Sequence, residues 1–139
     1  MARLLISIVV IFVLSMVLGY VVHGVLLGDD YTRLQNLFRA PEDAHNYFAY
    51  MLLAHVVFAI AFVWIYLQGK AHKPFLMQGL RYGVAVAALV TVPMYLIYYA
   101  VQPMPGMTVL KQIAFDGISM IILGVVVAWL NRQPVSIPD

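Results

Sequence analysis

Cysteine is absent from this 139-residue chain, and charge is scarce, with 10% of residues Asp, Glu, Lys or Arg, against about a quarter in ordinary water-soluble domains. The first absence excludes disulfides and thiolate metal sites and leaves the redox compartment unread. The second, with 64% apolar residues, excludes water as the main solvent. Eight basic residues against six acidic ones give a formal charge of +2. That is a small imbalance between few groups rather than a basic surface, so nucleic acid is not implied as a partner. Also missing are a Gly-rich phosphate loop, a His-Glu-x-x-His motif, paired carboxylates within the apolar segments, and a nucleophile with an evident base. The expectation is a protein that is not an enzyme.

What is present is four long apolar runs, Leu4 to Leu27, Tyr47 to Leu67, Leu80 to Val101 and Ile113 to Leu130. Each has roughly the 20 residues needed to cross about 30 Å of hydrocarbon at 1.5 Å per residue. They predict an all-α membrane protein, a single four-transmembrane-helix bundle whose first partner is the lipid bilayer. The first run has Arg3 ahead of it like a signal peptide, but its apolar stretch is too long and no small-x-small cleavage site follows, so it is expected to remain as a helix. Gly69 is expected to take the left-handed position after the second helix, and Pro74 to stop simple continuation. Pro103, Pro105 and Gly106 make a tight turn, with Thr108 as the expected N-cap of the fourth helix. After Leu130 come Asn131, Arg132 and Pro134, read as a short polar tail.

Orientation follows from Lys and Arg in the short connections. Arg3, Lys70, Lys73, Arg81 and Arg132 lie on one side, and Arg33, Arg39 and Lys111 on the other. The first side is therefore expected to be cytoplasmic, N-in and C-in, in a bacterial inner membrane. The longest connection, residues 28–46, then lies outside. In it Tyr31, Leu34, Leu37 and Phe38 recur at helical spacing, which suits a short amphipathic helix in the headgroup region. Pro41, Glu42 and Asp43 read as the first turn of an extended second helix, since proline is preorganised there and carboxylates favour its positive end. Helix start explains Glu42, Asp43 and His45 better than a metal site does.

Association in lipid depends on close backbone approach, so small residues at every fourth position mark contact faces. The third helix has Gly79, Gly83, Ala87, Thr91, Tyr95 and Tyr99. The first has Ser15, Gly19 and His23, and the fourth Gln112, Asp116, Met120, Gly124 and Ala128. These faces are expected to share a seam, within one bundle or between copies. Pro93 lacks a backbone donor and clashes with the carbonyl of Leu89, so a kink is expected there, a fixed bend rather than a hinge.

Ionisable and polar side chains meet at one depth. His55 and Asp116 each lie eight residues past their helix starts, Tyr47 and Thr108, at roughly 12 Å below the boundary. Tyr20 and His23 on the first helix, Tyr95, Tyr98 and Tyr99 on the third, and Gln112 fall in the same half. An intramembrane carboxylate needs a partner, and His55 is the first choice for Asp116, His23 the second. Three readings follow. A structural clasp would specify helix assembly in an accessory component, partnered by other membrane subunits or by itself. A proton or small-solute site would use His55 against Asp116, although no polar path continues through the other half. A redox site would take haem or copper on His23 and His55, with Met104 and Met107 near by, but two histidines are a minimum rather than a signature. The clasp is the expected reading, with no cofactor and no metal. Trp64, Tyr66 and Trp129 suit an interfacial belt.

The stretch from Leu18 to Leu27, followed by Asp30 and Tyr31, and the Gly-containing fourth helix ending in Trp129 resemble small uncharacterised four-span bacterial inner-membrane proteins. The resemblance implies a four-helix architecture and carries no catalytic residue.

Overall fold

The computed structural model describes residues 1–71 and 73–132. Helices and turns account for them without a strand, and four helices are long and apolar enough to cross a membrane. These are α1 (Ala2–Leu26), α3 (Phe48–Gln68), α4 (Phe75–Val101) and α5 (Gly106–Leu130), with a short helix α2 (Gly28–Thr32) after the first. The chain is thus built as a small multi-pass membrane protein. The polar tail beyond Arg132, including Pro134, lies outside the described residues.

α4 and α5 begin well ahead of their apolar runs because capping, not hydropathy, sets where a helix starts. α5 begins at Gly106 rather than near Ile113. Pro105, with φ −61° and ψ 134°, holds the cap position. Thr108, the expected cap, is buried inside the first turn and donates its N–H to Pro105 O at 3.0 Å. Gly69 is also not left-handed, with φ −96° and ψ 2°. The turn after α3 is closed instead by the Gln78 side chain, which accepts from Ala71 N–H at 2.9 Å and donates to Lys73 O at 2.6 Å.

α4 and α5 form the tightest pair. A Cβ placed on Gly83 would lie 2.5 Å from Ile121 Cα, and one on Gly79 would lie 2.6 Å from Val125 Cα. From the other side, a Cβ on Gly124 would meet Gly79 O at 2.5 Å. Only glycine allows these backbones to touch. The stripe continues through Ala87, Thr91 and Tyr95, all buried, whereas Tyr99 has turned outward. At 3.6 residues per turn an every-fourth stripe advances about 40° per step. A π-helical segment at Ala87–Thr91 sets that drift back and keeps Thr91 and Tyr95 on the face of Gly83. It ends just before Pro93, whose missing donor and bulky ring favour a widened turn.

α1 packs on α3 and α5 around a core of Ile11, Ala59, Phe62, Val63, Tyr66, Leu123, Val127 and Ala128. Ser15 and Gly19 meet α3 rather than the glycine pair, so the contact faces form two seams and not the single expected one. At the chain-termini end two side chains cross-brace the bundle. Asn131 Nδ2 donates to Ser7 Oγ at 3.0 Å, and Tyr82 OH donates to Phe62 O at 2.5 Å. At the opposite end α3 stands away from α4. From Phe48 to Val57 its residues face outward except for the half-covered Leu52 and His55.

The 28–46 connection does not form one amphipathic helix. It breaks at Leu34, makes a 3-10 turn at Gln35–Leu37, and then enters α3 through Pro41–Ala44 and the 3-10 turn His45–Tyr47. Leu34 and Leu37 find protein rather than headgroups, packing on Tyr95, Met104 and Val109. Lys111 bonds Asp30 at 2.8 Å, which holds the connection over the end of α5.

Candidate intramembrane polar site

The site is assembled at the loop end from α1, α2, α4 and α5. Asp116, on α5, is 14% exposed, and its Oδ2 accepts from Tyr95 OH on α4. The same oxygen lies 3.4 Å from His23 Nε2. The other ring nitrogen of His23, Nδ1, bonds Tyr31 OH at 2.8 Å, and Tyr31 in turn accepts from Gln112 Nε2 at 3.0 Å. One set of protons satisfies the chain: Gln112 donates to Tyr31, Tyr31 to His23 Nδ1, and His23 Nε2–H faces the carboxylate. The His23 and Tyr31 rings stack with centroids 5.9 Å apart. Burial raises the Tyr31 pKa above its ordinary value; the Gln112 bond opposes this, and the Asp116 and Asp30 charges reinforce it.

His23 reaches this position because α1 is π-helical over Tyr20–Leu26. Such insertions re-aim side chains and recur at functional sites. The structure therefore reverses the expected order of partners, with His23 beside Asp116. His55, on α3, bonds Ser15 Oγ at 2.9 Å instead. The reason is geometric. α3 packs mainly on α1 and little on α5, so α1 supplies both the nearer imidazole and the partner for His55.

Equal depth does not mean convergence for every expected member. Tyr20 is 71% exposed with its ring over Gly24, and Tyr98 and Tyr99 face outward on α4. Gln112 is buried, and its Oε1 has no partner among the described residues. Tyr31 was missed as a member of the site because it lies in the loop, where periodicity says nothing about which residue folds back.

No family model, curated protein or solved structure matches the chain. The site is therefore read from its own chemistry.

His23, His55, Tyr95 and Asp116 share the wall of one cavity of about 270 Å³ with Ser15 and Ser119. Apolar walls come from Leu18, Phe58, Val90, Met94, Met120 and Leu123. The volume lies below the roughly 300–1,000 Å³ of pockets that take drug-sized ligands, too small for a haem macrocycle between the two histidines. Met104 is buried against Tyr95 while Met107 faces outward, so the methionines do not converge on a metal. Among the described residues no three His, Asp or Glu side chains are grouped to hold an ion. Asp43 is engaged by Arg39 at 2.7 Å, and the Arg39 guanidinium lies over the Tyr47 ring at 3.8 Å.

Proposed function

We propose that this small multi-pass membrane protein is a structural or accessory component of a membrane complex, performing no chemistry of its own. Its proposed setting is a bacterial inner membrane with both termini cytoplasmic, by the Lys and Arg asymmetry. The observation that carries the reading is the use made of Asp116. Its Oδ2 is held by Tyr95 on α4 and His23 on α1, so this carboxylate joins three helices of the same chain. A polar group in lipid is expensive unless paired, and here the pairing specifies which faces meet.

A proton-conducting role has less support. Past Ser119 the buried Ile11, Phe62, Val63, Leu123 and Val127 form an apolar layer that separates the site from the Tyr82 and Asn131 bonds at the termini end. The test of the accessory role is the native mass of the protein extracted mildly from its own membrane. A particle well above the 15.6 kDa chain mass, with a second polypeptide at fixed stoichiometry, is expected. A folded particle holding this chain alone overturns the reading.

A further inference from the structure

The loop-end cavity has a polarity, and hydrogen-bond accounting gives its sign. Ser15 Oγ donates its one hydrogen to Phe12 O at 2.8 Å. Its bond to His55 at 2.9 Å then requires the proton on His55 Nδ1, which leaves Nε2 as an acceptor without a partner among the described residues. On the α5 side of the wall both contacts of Asp116 are made by Oδ2. Its Oδ1 has no partner among the described residues and is not sealed from the surface. The Ser119 hydroxyl is turned to Phe115 O at 3.0 Å, so it too offers only acceptor capacity. His55 Nε2 and Asp116 Oδ1 thus present acceptors on two helices of the cavity wall, beside the Thr91 hydroxyl, which can donate or accept, and they call for a ligand that donates at two points.

Size and access narrow the class. A cavity of 150 Å³ holds benzene, so 270 Å³ suits one substituted six-membered ring. The mouth lies between α3 and α4, where Ala54, Val90 and Met94 line the cavity and are themselves exposed. These residues sit well inside the apolar spans, so the opening faces hydrocarbon, and a ligand enters from the lipid phase. We propose that this cavity binds the ring of a membrane-dissolved quinol, its two hydroxyls donating to His55 Nε2 and Asp116 Oδ1 while the apolar substituents leave between α3 and α4. The oxidised quinone is disfavoured by the same accounting, because its carbonyl oxygens would find no donor at His55 Nε2 or Asp116 Oδ1. The site is independent of the accessory role.

The experiment is a binding titration of the full chain in lipid nanodiscs with tetramethylhydroquinone, its quinone and a benzylic amine, with empty nanodiscs as background. The quinol is expected to bind at least about tenfold tighter than the quinone, as a site built for hydroxyl donors discriminates. His55→Phe should weaken quinol binding by about tenfold. Should that variant unfold, Val90→Trp provides the second test. It fills the mouth from an exposed position and should abolish binding while the thermal midpoint stays within a few degrees. Equal binding of quinol and quinone, binding unaffected by Val90→Trp, or no quinol binding above background overturns the proposal. Tighter binding of the amine also overturns it, in favour of a cation site on Asp116.

Discussion

At the residue scale, Asp116 and its partners Tyr95 and His23 tie three helices together within the spans. Asp116→Asn retains shape but gives up the charge that Tyr95 and His23 meet, and His23→Ala leaves Tyr31 and Asp116 each short of a partner. Measured hydrogen bonds in bilayers are modest, so each change should cost about 1–2 kcal/mol. The check is thermal unfolding in detergent against the outward-facing control Ile118→Ala, which should be nearly silent. Midpoints matching that control would remove the clasp. Tyr31 adds a pH dependence. Its folded pKa lies above the ordinary tyrosine value of about 10. The neutral form is favoured by folding, so this stability is fully present below pH 10 and is lost as pH rises through the folded pKa. Unfolding midpoints measured from pH 9 upward should fall more steeply in the wild type than in Tyr31→Phe.

At the scale of elements, two glycines at similar spacing have opposite tolerance. A methyl group on Gly83 would meet the Ile121 backbone at 2.5 Å, whereas on Gly19 it would meet the His55 ring at 3.7 Å, an ordinary contact. Gly83→Ala forces α4 and α5 apart and should cost about 1–3 kcal/mol, as overpacking does. Gly19→Ala should be within about 0.5 kcal/mol of wild type. Unfolding of the two variants side by side checks this, and equal midpoints would mean that the glycine pair is not the tight seam. The two π segments belong to this scale as well. Each lies next to the polar site, at Tyr20–Leu26 and Ala87–Thr91, and each re-aims a residue that an unbroken α-helix would carry elsewhere.

For the whole molecule, the bundle is braced at both ends and parted along one side. Asn131 and Ser7 close the termini end, the Tyr31 to Asp116 chain closes the other, and α3 stands off α4 near the cavity mouth. The proposed orientation has a clean test because the chain has no cysteine. In intact cells an impermeant thiol reagent should label Asn36→Cys and leave Ala71→Cys unlabelled until the membrane is opened. The reverse pattern would invert the topology.

Four spans were legible because hydropathy is a sum along the chain, and no partner is needed to take it. The Gly79, Gly83 and Ala87 stripe was legible for the related reason that a helix converts spacing into a face. Depth also followed from counting, which is why His55 and Asp116 were placed level. Depth leaves the angle between helices open, however. That angle gave Asp116 to His23, sent His55 to Ser15, and turned Tyr20, Tyr98 and Tyr99 outward. Helix ends were misjudged at Thr108 and Gly69 because Pro105 and Gln78 do the capping there. Contacts between distant positions had no local signal at all. Tyr31 and Gln112 are separated by 81 positions, and Ser7 and Asn131 by 124. Apolar pattern is a property of one helix and survives without neighbours, whereas pairing, cavity and access arise only when four helices cross at particular angles.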